Sequence, residues 1–315
     1  MGIAHPTGVF MTFDKCIKVC VLMGGVGAER DVSLDSGRNI AAAIRTAGLE
    51  CVEFDITPDD MSILDDSSID VFFLGLHGKF GEDGQLQQIL EDKKLVYTGS
   101  GPKASADAFD KVISKEIFAK AGVDLPRHIC VGEGDNADTL AKKLSEMGDK
   151  FVVKPIKQGS SVGVVIVDGC SEAAEAGLKC FAEFGDCMIE EFIDGREITV
   201  GILNGTALPI TEIVSKTKFY DYKAKYLDDA TEYLFDTITD PALIEKINTS
   251  ALACYNSLGC RHQSRVDMIL TQDGVPYVLE INTLPGFTGH SLLPMAAKRA
   301  GITAGELCLK IIGCE

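Results

Sequence analysis

The first third of the chain alternates between apolar runs of strand length and one helical pattern. Residues 16–23 form an apolar run, and helically spaced apolar residues follow over 32–47 and end at Gly48. Two more apolar runs of strand length lie at 51–55 and 71–76. This strand–helix–strand order predicts a parallel sheet in an α/β domain.

Two glycine-rich loops follow the third predicted strand. The first, HGKFGEDG at 77–84, has three glycines, and the second covers 97–102. Glycine-rich loops are typical of backbone that adopts unusual angles or approaches another group closely. The intervening pattern predicts a helix from residue 85 to 90, and a long helix from 104 to 121.

The middle of the chain is predicted to be rich in β-structure. Strand patterns at 151–155 and 164–168 flank a Gly/Ser loop at 158–163, which suggests a hairpin. Two further strands are predicted at 188–193 and 197–203. A hairpin of this composition offers backbone N–H groups and hydroxyls that could bind phosphate, although a plain hairpin tip is the alternative.

A polar and aromatic segment at 215–233 fits neither a helical nor a strand period. A long irregular segment inside a compact domain is typical of a lid or a binding loop. The pattern then predicts an amphipathic helix at 241–258 and two final helices at 294–300 and 304–312.

The composition indicates a soluble globular protein of two or three domains. The chain has 315 residues, of which 46% are hydrophobic and 24% charged. Its net charge of −17 argues against a large nucleic-acid footprint. No apolar run approaches the ~20 residues of a membrane span. An anionic nucleotide stays compatible with this charge, provided that Lys, Arg and Mg²⁺ concentrate at its site.

The cysteines and the first residues point to the cytoplasm. The 11 cysteines form no Cys-x-x-Cys pair and no zinc spacing, so buried reduced thiols are the plain interpretation. Residues 1–15 contain no apolar segment of signal-peptide length and are interpreted as an N-terminal extension.

Four polar residues lie at alternate positions within two apolar runs near the end of the chain. Arg265 and Asp267 are two apart in the first run, and Glu280 and Asn282 are two apart in the second. Residues i and i+2 share a face of a strand, so two adjacent strands would bring these side chains together. Three oxygen ligands suit Mg²⁺. The alternative is two ordinary strands with outward polar residues.

The glycines at 24–27 do not complete a dinucleotide-binding motif. A G-x-G-x-x-G pattern would need its third glycine where Arg30 stands. A turn that presents Glu29 at the carboxyl edge of the parallel sheet is the better interpretation, because open α/β sheets bind ligands there. Lys154 precedes the Gly/Ser loop and could reach phosphate oxygens, whereas Lys111, on a predicted helix, would by default be solvated.

Taken together, these motifs resemble the D-alanine–D-alanine ligase family of ATP-grasp carboxylate–amine ligases. The resemblance covers nearly the whole chain from Cys16. It rests on the joint order of GGVGAERDVSLDSG (24–37), LHGKFGEDGQLQ (76–87), YTGSG (97–101), DK (110–111), VVKPIKQGSSVGV (152–164), FYDYKAKY (219–226), RVDM (265–268) and EINTLPGFTGHSLLPMAA (280–297).

The resemblance implies a mixed α/β (α+β) ATP-grasp fold of three domains. These are an N-terminal parallel α/β substrate domain at 16–111, a small β-rich nucleotide-clamping domain at 112–205, and a C-terminal α+β domain at 206–315 that carries the lid at 215–233. It also implies a cytoplasmic homodimer that works in peptidoglycan synthesis.

The family chemistry implied is ATP-dependent formation of D-alanyl-D-alanine through a D-alanyl phosphate, with two Mg²⁺ ions and Mn²⁺ as an alternative. The metal ligands would be Asp267, Glu280 and Asn282. The implied nucleotide contacts are Lys111 and Lys154 with phosphates, Ser160 and Ser161 in the loop above them, Glu190, Glu191 and Ile193 around adenine, and Glu197 with ribose.

The same resemblance implies roles on the amino-acid side of the site. Glu29 would orient the ammonium of the first D-alanine, in a hydrogen-bond network with Ser160 and Tyr226. The oxyanion donors would be Arg265 and the Gly286 N–H, and the other substrate contacts would be His77, Lys225, Ser291 and the Leu292 N–H. Duller alternatives are a packing role for Tyr226, a backbone-satisfying role for His77 and a helix N-cap role for Ser291.

Two departures from the family pattern bear on affinity and specificity. Glu191 stands where the family often has Lys, so two adjacent carboxylates at 190–191 would slightly weaken nucleotide binding. The lid sequence YKAKY at 222–226 resembles members that use D-alanine at both sites. The competing hypotheses are a ligase for D-lactate or D-serine, and a catalytically silent nucleotide-binding protein, which would be expected to lack a metal ligand or Arg265.

Overall fold

A computed structural model of the protein describes residues 3–4, 10–11, 17–27, 29–214 and 231–314. At the start of the chain, β1 (Ile3–Ala4) and β2 (Phe10–Met11) pair antiparallel. The other residues of the extension at 1–15 lie outside the described part, as do most residues of the predicted lid, 215–230.

The N-terminal region contains the predicted parallel sheet. Its elements are β3 (Lys18–Gly24), α1 (Arg30–Thr46), β4 (Glu50–Ile56) and β5 (Val71–Leu74). The strands are arranged in the order β4-β3-β5, and helix α1 connects β3 to β4. Strand β3 is central and almost wholly buried, as a continuous apolar run in a parallel sheet predicts.

The prediction of one long helix at 104–121 is wrong, because the helix is interrupted at Asp110. After α2 (Gln85–Asp92), helix α3 covers Pro102–Phe109 and helix α4 covers Lys111–Lys120. Asp110 has an extended backbone, and its side chain accepts hydrogen bonds from the N–H groups of Val112 and Ile113. A short polar residue that caps a helix competes well with continued helix.

The central region contains, in chain order, the elements β6 (His128–Val131), α5 (Ala137–Leu144), β7 (Lys150–Pro155), β8 (Val165–Asp168), α6 (Cys170–Phe184) and β9 (Cys187–Glu191). Its strands form an antiparallel sheet in the order β6-β9-β7-β8. Helices α5 and α6, which the sequence patterns did not identify, pack against each other; α6 also packs against β7, and α5 against β6.

In chain order the elements of the C-terminal region are β10 (Arg196–Leu203), β11 (Thr206–Ala207), β12 (Thr211–Val214), β13 (Glu232–Phe235), α7 (Pro241–Leu258), β14 (Gln263–Leu270), β15 (Pro276–Asn282), α8 (Leu292–Arg299) and α9 (Ala304–Ile312). Among the described residues its sheet is the largest, in the order β13-β12-β10-β14-β15, with β11 paired to β10. The lid was predicted to reach residue 233, but its last two residues begin strand β13.

One hydrophobic cluster joins the two ends of the chain. Val19 and Ile40 of the N-terminal region share it with Leu293, Leu307 and Ile311 of helices α8 and α9. The central region has a separate cluster of its own between its sheet and helices α5 and α6. The N- and C-terminal regions therefore form one packed body.

Strand pairing bears on the predicted domain boundaries. Strand β10 falls inside the predicted central domain at 112–205, yet it pairs with β12 and β14 of the C-terminal sheet. Phe118 of helix α4 likewise packs in the cluster of the C-terminal sheet. We propose that the central domain is shorter than predicted and ends between β9 and β10.

No helix in the described ranges combines the length and apolar character needed to cross a membrane.

Candidate active site

The four polar residues of the two C-terminal runs lie side by side on adjacent strands. Strands β14 and β15 are antiparallel, and their register pairs Arg265 with Asn282 and Asp267 with Glu280. Directly opposed residues on one face of an antiparallel pair have side chains within contact distance. The adjacency predicted from the spacing is therefore present.

A β-bulge at Leu279 determines which residues of β15 face the site. The partner of Asp267 is Glu280, but the partner of the next residue, Met268, is Val278. Leu279 therefore has no directly opposed residue on β14, and both Leu279 and Glu280 line the same cavity. A bulge re-aims the side chains that follow it, so β15 places Leu279 and Glu280 at the site and keeps Val278 in the core.

The Asp267 carboxylate is held by four hydrogen bonds. Arg265 donates from Nε to Oδ1 at 2.8 Å and from Nη2 to Oδ2 at 2.7 Å. The Thr199 hydroxyl donates to Oδ1 at 2.6 Å, and the Asn282 amide donates to Oδ2 at 3.2 Å. On the neighbouring strand, Glu280 lies 3.3 Å from the Lys111 ammonium. Site cations therefore balance the charge of both carboxylates.

The donor set fits a hard divalent cation. The described residues contain no cluster of three or more His, Cys, Asp or Glu side chains arranged for a metal. Asp267, Glu280 and Asn282 offer two carboxylates and an amide instead, all on one face of β14 and β15. Oxygen ligands in that number suit Mg²⁺, which keeps several waters and takes phosphate oxygens as further ligands.

A cavity of about 450 Å³ opens between the central sheet and the C-terminal sheet. This volume lies within the range of ligand pockets for small molecules and cofactors. Every residue that the sequence assigned to nucleotide contact lines it, except Ser160, which lines the adjoining smaller cavity: Lys111, Lys154, Ser161, Glu190, Glu191, Ile193 and Glu197.

The break at Asp110 gives Lys111 its position. Lys111 is the first residue of α4, is buried, and donates from Nζ to the Gln158 carbonyl at 2.7 Å. Gln158 opens the Gly/Ser loop, so this lysine ties helix α4 to that loop. A solvated lysine, the default expectation for a helical position, is not what the structure contains.

Lys154 forms part of a buried chain of three charges. Its ammonium lies 2.6 Å from Oε2 of Glu190, and the ammonium of Lys115 lies 2.7 Å from Oε1 of the same carboxylate. Burial alone would raise the pKa of Glu190, but the two lysines outweigh it and hold that pKa below its usual value. Lys115 was not predicted as a site residue.

An arginine that the sequence analysis overlooked neutralises Glu191. The Arg127 backbone N–H donates to Glu191 Oε1 at 2.8 Å, and the Arg127 Nε donates to Oε2 at 2.7 Å. The two adjacent carboxylates at 190 and 191 therefore have separate cationic partners. The weakening of nucleotide affinity by Glu191 stays a prediction, and Arg127 supplies a positive charge that would oppose it.

A second, smaller cavity of about 60 Å³ adjoins the first, and Gly159 and Glu280 line both. It collects the remaining described residues that the sequence assigned to the amino-acid side of the site: Glu29, His77, Ser160, Arg265, Gly286, Ser291 and Leu292. Lys225 and Tyr226, which were assigned to the same side, lie outside the described residues.

Two glycines make room for the Glu29 carboxylate. A Cβ at Gly78 would lie 2.4 Å from Glu29 Oε2, and a Cβ at Gly159 would lie 3.1 Å from the same oxygen. The Ser160 hydroxyl donates to Glu29 Oε1. Ser160 and Ser161 both have positive φ, a strained conformation for residues other than glycine that clusters at functional loops.

His77 is buried and neutral. Its Nε2 lies 3.0 Å from the Ser36 hydroxyl, which in turn accepts from the Phe287 N–H at 3.1 Å. Burial lowers the pKa of His77 to about 4. His77 thus links helix α1 to the segment after β15 and also lines the smaller cavity, so the structural and the site interpretations are both supported.

Glu82 is an acidic residue of the smaller cavity that the sequence analysis quoted but did not assign. Its Oε2 accepts a hydrogen bond from the Gly78 N–H at 2.7 Å. Burial, followed by the nearby Glu29 carboxylate, raises its pKa to about 8. Glu82 could have been predicted as a site residue from its position in the glycine-rich loop after β5, five residues after His77.

The Gly286 backbone lies against Ser291. A Cβ at Gly286 would lie 2.8 Å from Ser291 Oγ and 3.9 Å from His77 Nε2. Ser291 occupies the N-cap position of α8, but its hydroxyl makes no bond to that helix and instead accepts from the Thr288 N–H at 2.8 Å. Ser291 therefore occupies the N-cap position, as the alternative interpretation expected, but its hydroxyl does not cap the helix.

Comparisons with known proteins identify the family to which this chain belongs. The family model described as D-ala D-ala ligase C-terminus matches residues 117–313. A D-alanine--D-alanine ligase of Citrifermentans bemidjiense is 43% identical over 94% of this chain and 95% of that protein. The chain belongs to the D-alanine–D-alanine ligase family. Another family member, from Nitrosospira multiformis, is 42% identical over 94% of this chain and 96% of that protein.

Solved structures of D-alanine–D-alanine ligases share the fold. The Bacillus anthracis enzyme, solved in complex with ATP, superposes with a TM-score of 0.81 at 36% identity over 94% of this chain and 96% of that one. The VanG D-Ala:D-Ser ligase of Enterococcus faecalis gives a TM-score of 0.81 at 27% identity over 95% of this chain and 99% of that one. The predicted ATP-grasp fold is confirmed.

Proposed function

We propose that this chain joins two D-alanines into D-alanyl-D-alanine at the expense of ATP, releasing ADP and phosphate, for peptidoglycan precursors. The observation that carries the proposal is the meeting of two cavities at Gly159 and Glu280. One has the volume of a nucleotide site, and the other is small and rich in polar groups. A phosphoryl group at their junction would face a carboxylate bound in the smaller cavity.

Nucleotide binding falls to the larger cavity. Lys111 and Lys154 would contact the phosphates, beneath the loop that carries Ser160 and Ser161. Both lysines are buried within this cavity, where a cation attracts phosphate oxygens more strongly than it does in open water. The groups around the adenine would be Glu190, Glu191 and Ile193, and Glu197 would bind the ribose.

Asp267, Glu280 and Asn282 would hold two Mg²⁺ ions, with Mn²⁺ as an alternative. A bound divalent ion would offset the charge of the transferred phosphoryl group. Chelation should then abolish D-alanine-dependent phosphate release, and added Mg²⁺ or Mn²⁺ should restore it. Nucleotide affinity measured by calorimetry should fall in parallel, whereas full affinity without divalent ions would contradict the assignment.

The residues that line the smaller cavity would contact the two amino acids. Glu29 would hold the ammonium of the first D-alanine beside His77, and that substrate's carboxylate oxygen would attack the γ-phosphorus, giving D-alanyl phosphate and ADP. The amine of a second D-alanine, held by Ser291 and the Leu292 N–H, would attack the acyl carbon. Phosphate would leave from a tetrahedral oxyanion that accepts hydrogen bonds from Arg265 and from the Gly286 N–H, which would act as the oxyanion donors.

Lys225 and Tyr226 lie outside the described residues. By their resemblance to the family, both would contact the substrates, with Tyr226 in the hydrogen-bond network of Glu29 and Ser160. The protein would act in the cytoplasm as a homodimer, without nucleic-acid or membrane partners.

The decisive experiment is phosphate release from Mg-ATP with D-alanine, with L-alanine and no amino acid as controls, and mass detection of the product. D-alanine-dependent release with formation of the dipeptide is the expected result. Release that needs D-lactate or D-serine as second substrate would assign a variant ligase instead. No release with any of these substrates would refute the ligase and favour a silent nucleotide-binding protein.

A further inference from the structure

Lys115 is a buried cation for which the proposed reaction provides no task. It lies on helix α4, one turn after Lys111, and its side chain is 2% exposed. It is absent from the lining of both cavities. Burying an ammonium is costly unless partners compensate for it, and Lys115 has two such partners, a carboxylate and a backbone carbonyl.

Those contacts connect Lys115 to the nucleotide cavity through Glu190. Its ammonium lies 2.7 Å from Glu190 Oε1 and donates to the Pro126 carbonyl at 3.2 Å. Glu190 is itself 2% exposed, and its other oxygen lies 2.6 Å from Lys154. One carboxylate thus stands between two ammonium groups, of which only Lys154 lines the cavity.

Lys115 changes the net charge of the group that Lys154 forms with Glu190. With Lys154 alone, Glu190 would form a closed neutral pair, and a phosphate would compete with the carboxylate for that lysine. With Lys115 on the other oxygen, the group of three carries a net positive charge, so Lys154 keeps charge for an anion. The carboxylate also stays ionised and accepts hydrogen bonds without donating any.

We propose that Lys115 is a positioning residue that sets base selectivity by keeping Glu190 an obligate acceptor toward the exocyclic amine of adenine. The inference rests on the proposed function, in which ATP places its adenine beside Glu190 in the larger cavity. A purine with an oxygen at C6, such as hypoxanthine, would present an acceptor to this carboxylate, and two acceptors repel. A protonated or displaced Glu190 would distinguish the two bases poorly.

The test compares ATP with ITP in Lys115→Met, using dissociation constants from calorimetry with Mg²⁺ and kcat/KM from phosphate release. The preference for ATP over ITP should fall about tenfold or more, the worth of a hydrogen bond to a charged group. KM for ATP should rise while kcat changes little. Lys120→Met, at the exposed end of the same helix, is the matched control and should keep the wild-type preference.

A double-mutant cycle tests whether Lys115 acts through Glu190. In a Glu190→Gln background, Lys115→Met should cause no further loss of base preference, because the acceptor it supports is gone. Lys115→Arg should retain most of the preference, since the charge is kept. Lys115→Gln, which can still donate to the Pro126 carbonyl, should behave like Lys115→Met and replaces it where the Met variant fails to fold.

Several results would overturn the inference. These are a wild-type protein without base preference, an equal loss of ATP and ITP affinity in Lys115→Met, or additive effects in the double variant, which would indicate a packing role. If the wild type binds ATP without ligase activity, the proposed function fails while the base preference can still be measured. A wild type that binds no ATP would refute both.

Discussion

Arg265 grips the carboxylate of Asp267 with two hydrogen bonds of 2.8 and 2.7 Å, from a position two residues away on the same strand. The two-pronged contact fixes the plane of the guanidinium at the edge of the smaller cavity, which Arg265 lines. A group held in this way before the reaction can stabilise developing negative charge without reorganising.

Arg265→Lys is therefore expected to lower kcat by about a hundredfold, the scale found when an oxyanion donor is removed. Lysine keeps the charge, but its single ammonium cannot reproduce the fork. Arg38→Lys, an exposed arginine paired with Asp35 on helix α1, is the control and should be neutral. Steady-state kinetics with D-alanine and ATP measures both, and an unchanged kcat in Arg265→Lys would remove this residue from the chemistry.

Gly286→Ala should damage the second-substrate region, because the added Cβ would meet Ser291 Oγ at 2.8 Å. We expect kcat/KM for the second D-alanine to fall about tenfold or more, equivalent to at least 1.4 kcal/mol of lost binding in the transition state. Gly289→Ala is a matched control in the same segment, because nothing lies within 4 Å of its added Cβ. Equal kinetics for the two variants would contradict the close approach.

Asp110→Ala should cost about 1 kcal/mol of stability, the usual worth of a helix N-cap. It should also raise KM for ATP about fivefold, if displacement of Lys111 costs a similar free energy. Asp240→Ala removes the equivalent cap from α7, where Asp240 accepts from the Ala242 N–H. Chemical unfolding should show similar stability losses for both variants, and only Asp110→Ala should change KM; a change in both would point to a global effect.

The stability of the protein should fall as the pH drops below 6.5, in part because of His262. This buried residue accepts a hydrogen bond from the Gly99 N–H to its Nδ1 at 2.8 Å, and burial lowers its pKa to about 3. The unfolded chain therefore binds the proton first, so acid favours unfolding from about pH 6.5 down to about pH 3. His262 alone should contribute a loss of about 2 kcal/mol between pH 7 and pH 5.

His262→Asn isolates that contribution. An asparagine oxygen can accept the Gly99 N–H, and asparagine tolerates the positive φ of 59° at this position. The variant should lose about 2 kcal/mol less than the wild type between pH 7 and pH 5. Urea unfolding at the two pH values measures the difference, and parallel losses would show that the histidine titrates normally in the folded protein.

Local spacing was sufficient to predict that two strands bring the candidate metal ligands together. The alternation of Arg265 with Asp267 and of Glu280 with Asn282 gave the correct common face, because strand geometry is regular and the turn between the two strands is short. The bulge at Leu279 was not foreseen, since strict alternation would have turned Leu279 away from the cavity. Val278 and Ile281, both buried and three residues apart, carry the trace of that bulge.

Sequence patterns could not predict features that depend on partners distant in sequence. The helical period continued across Asp110 because its flanking residues suit a helix, and only the cap geometry reveals the break. Arg127 reaches Glu191 from the residue just before β6, and Lys115 reaches Glu190 from helix α4, in both cases across more than 60 residues of sequence. The local sequence around Arg127 and Lys115 does not indicate which carboxylate each of them pairs with.

The cluster that joins Val19 and Ile40 to Leu307 and Ile311 has a consequence for how the protein is made. A ribosome releases the N-terminal sheet long before it synthesises helix α9. Until that helix emerges, the nascent chain has the strands of its first domain but not the apolar surface that completes their core, so we expect the newborn domain to depend on chaperones until translation ends.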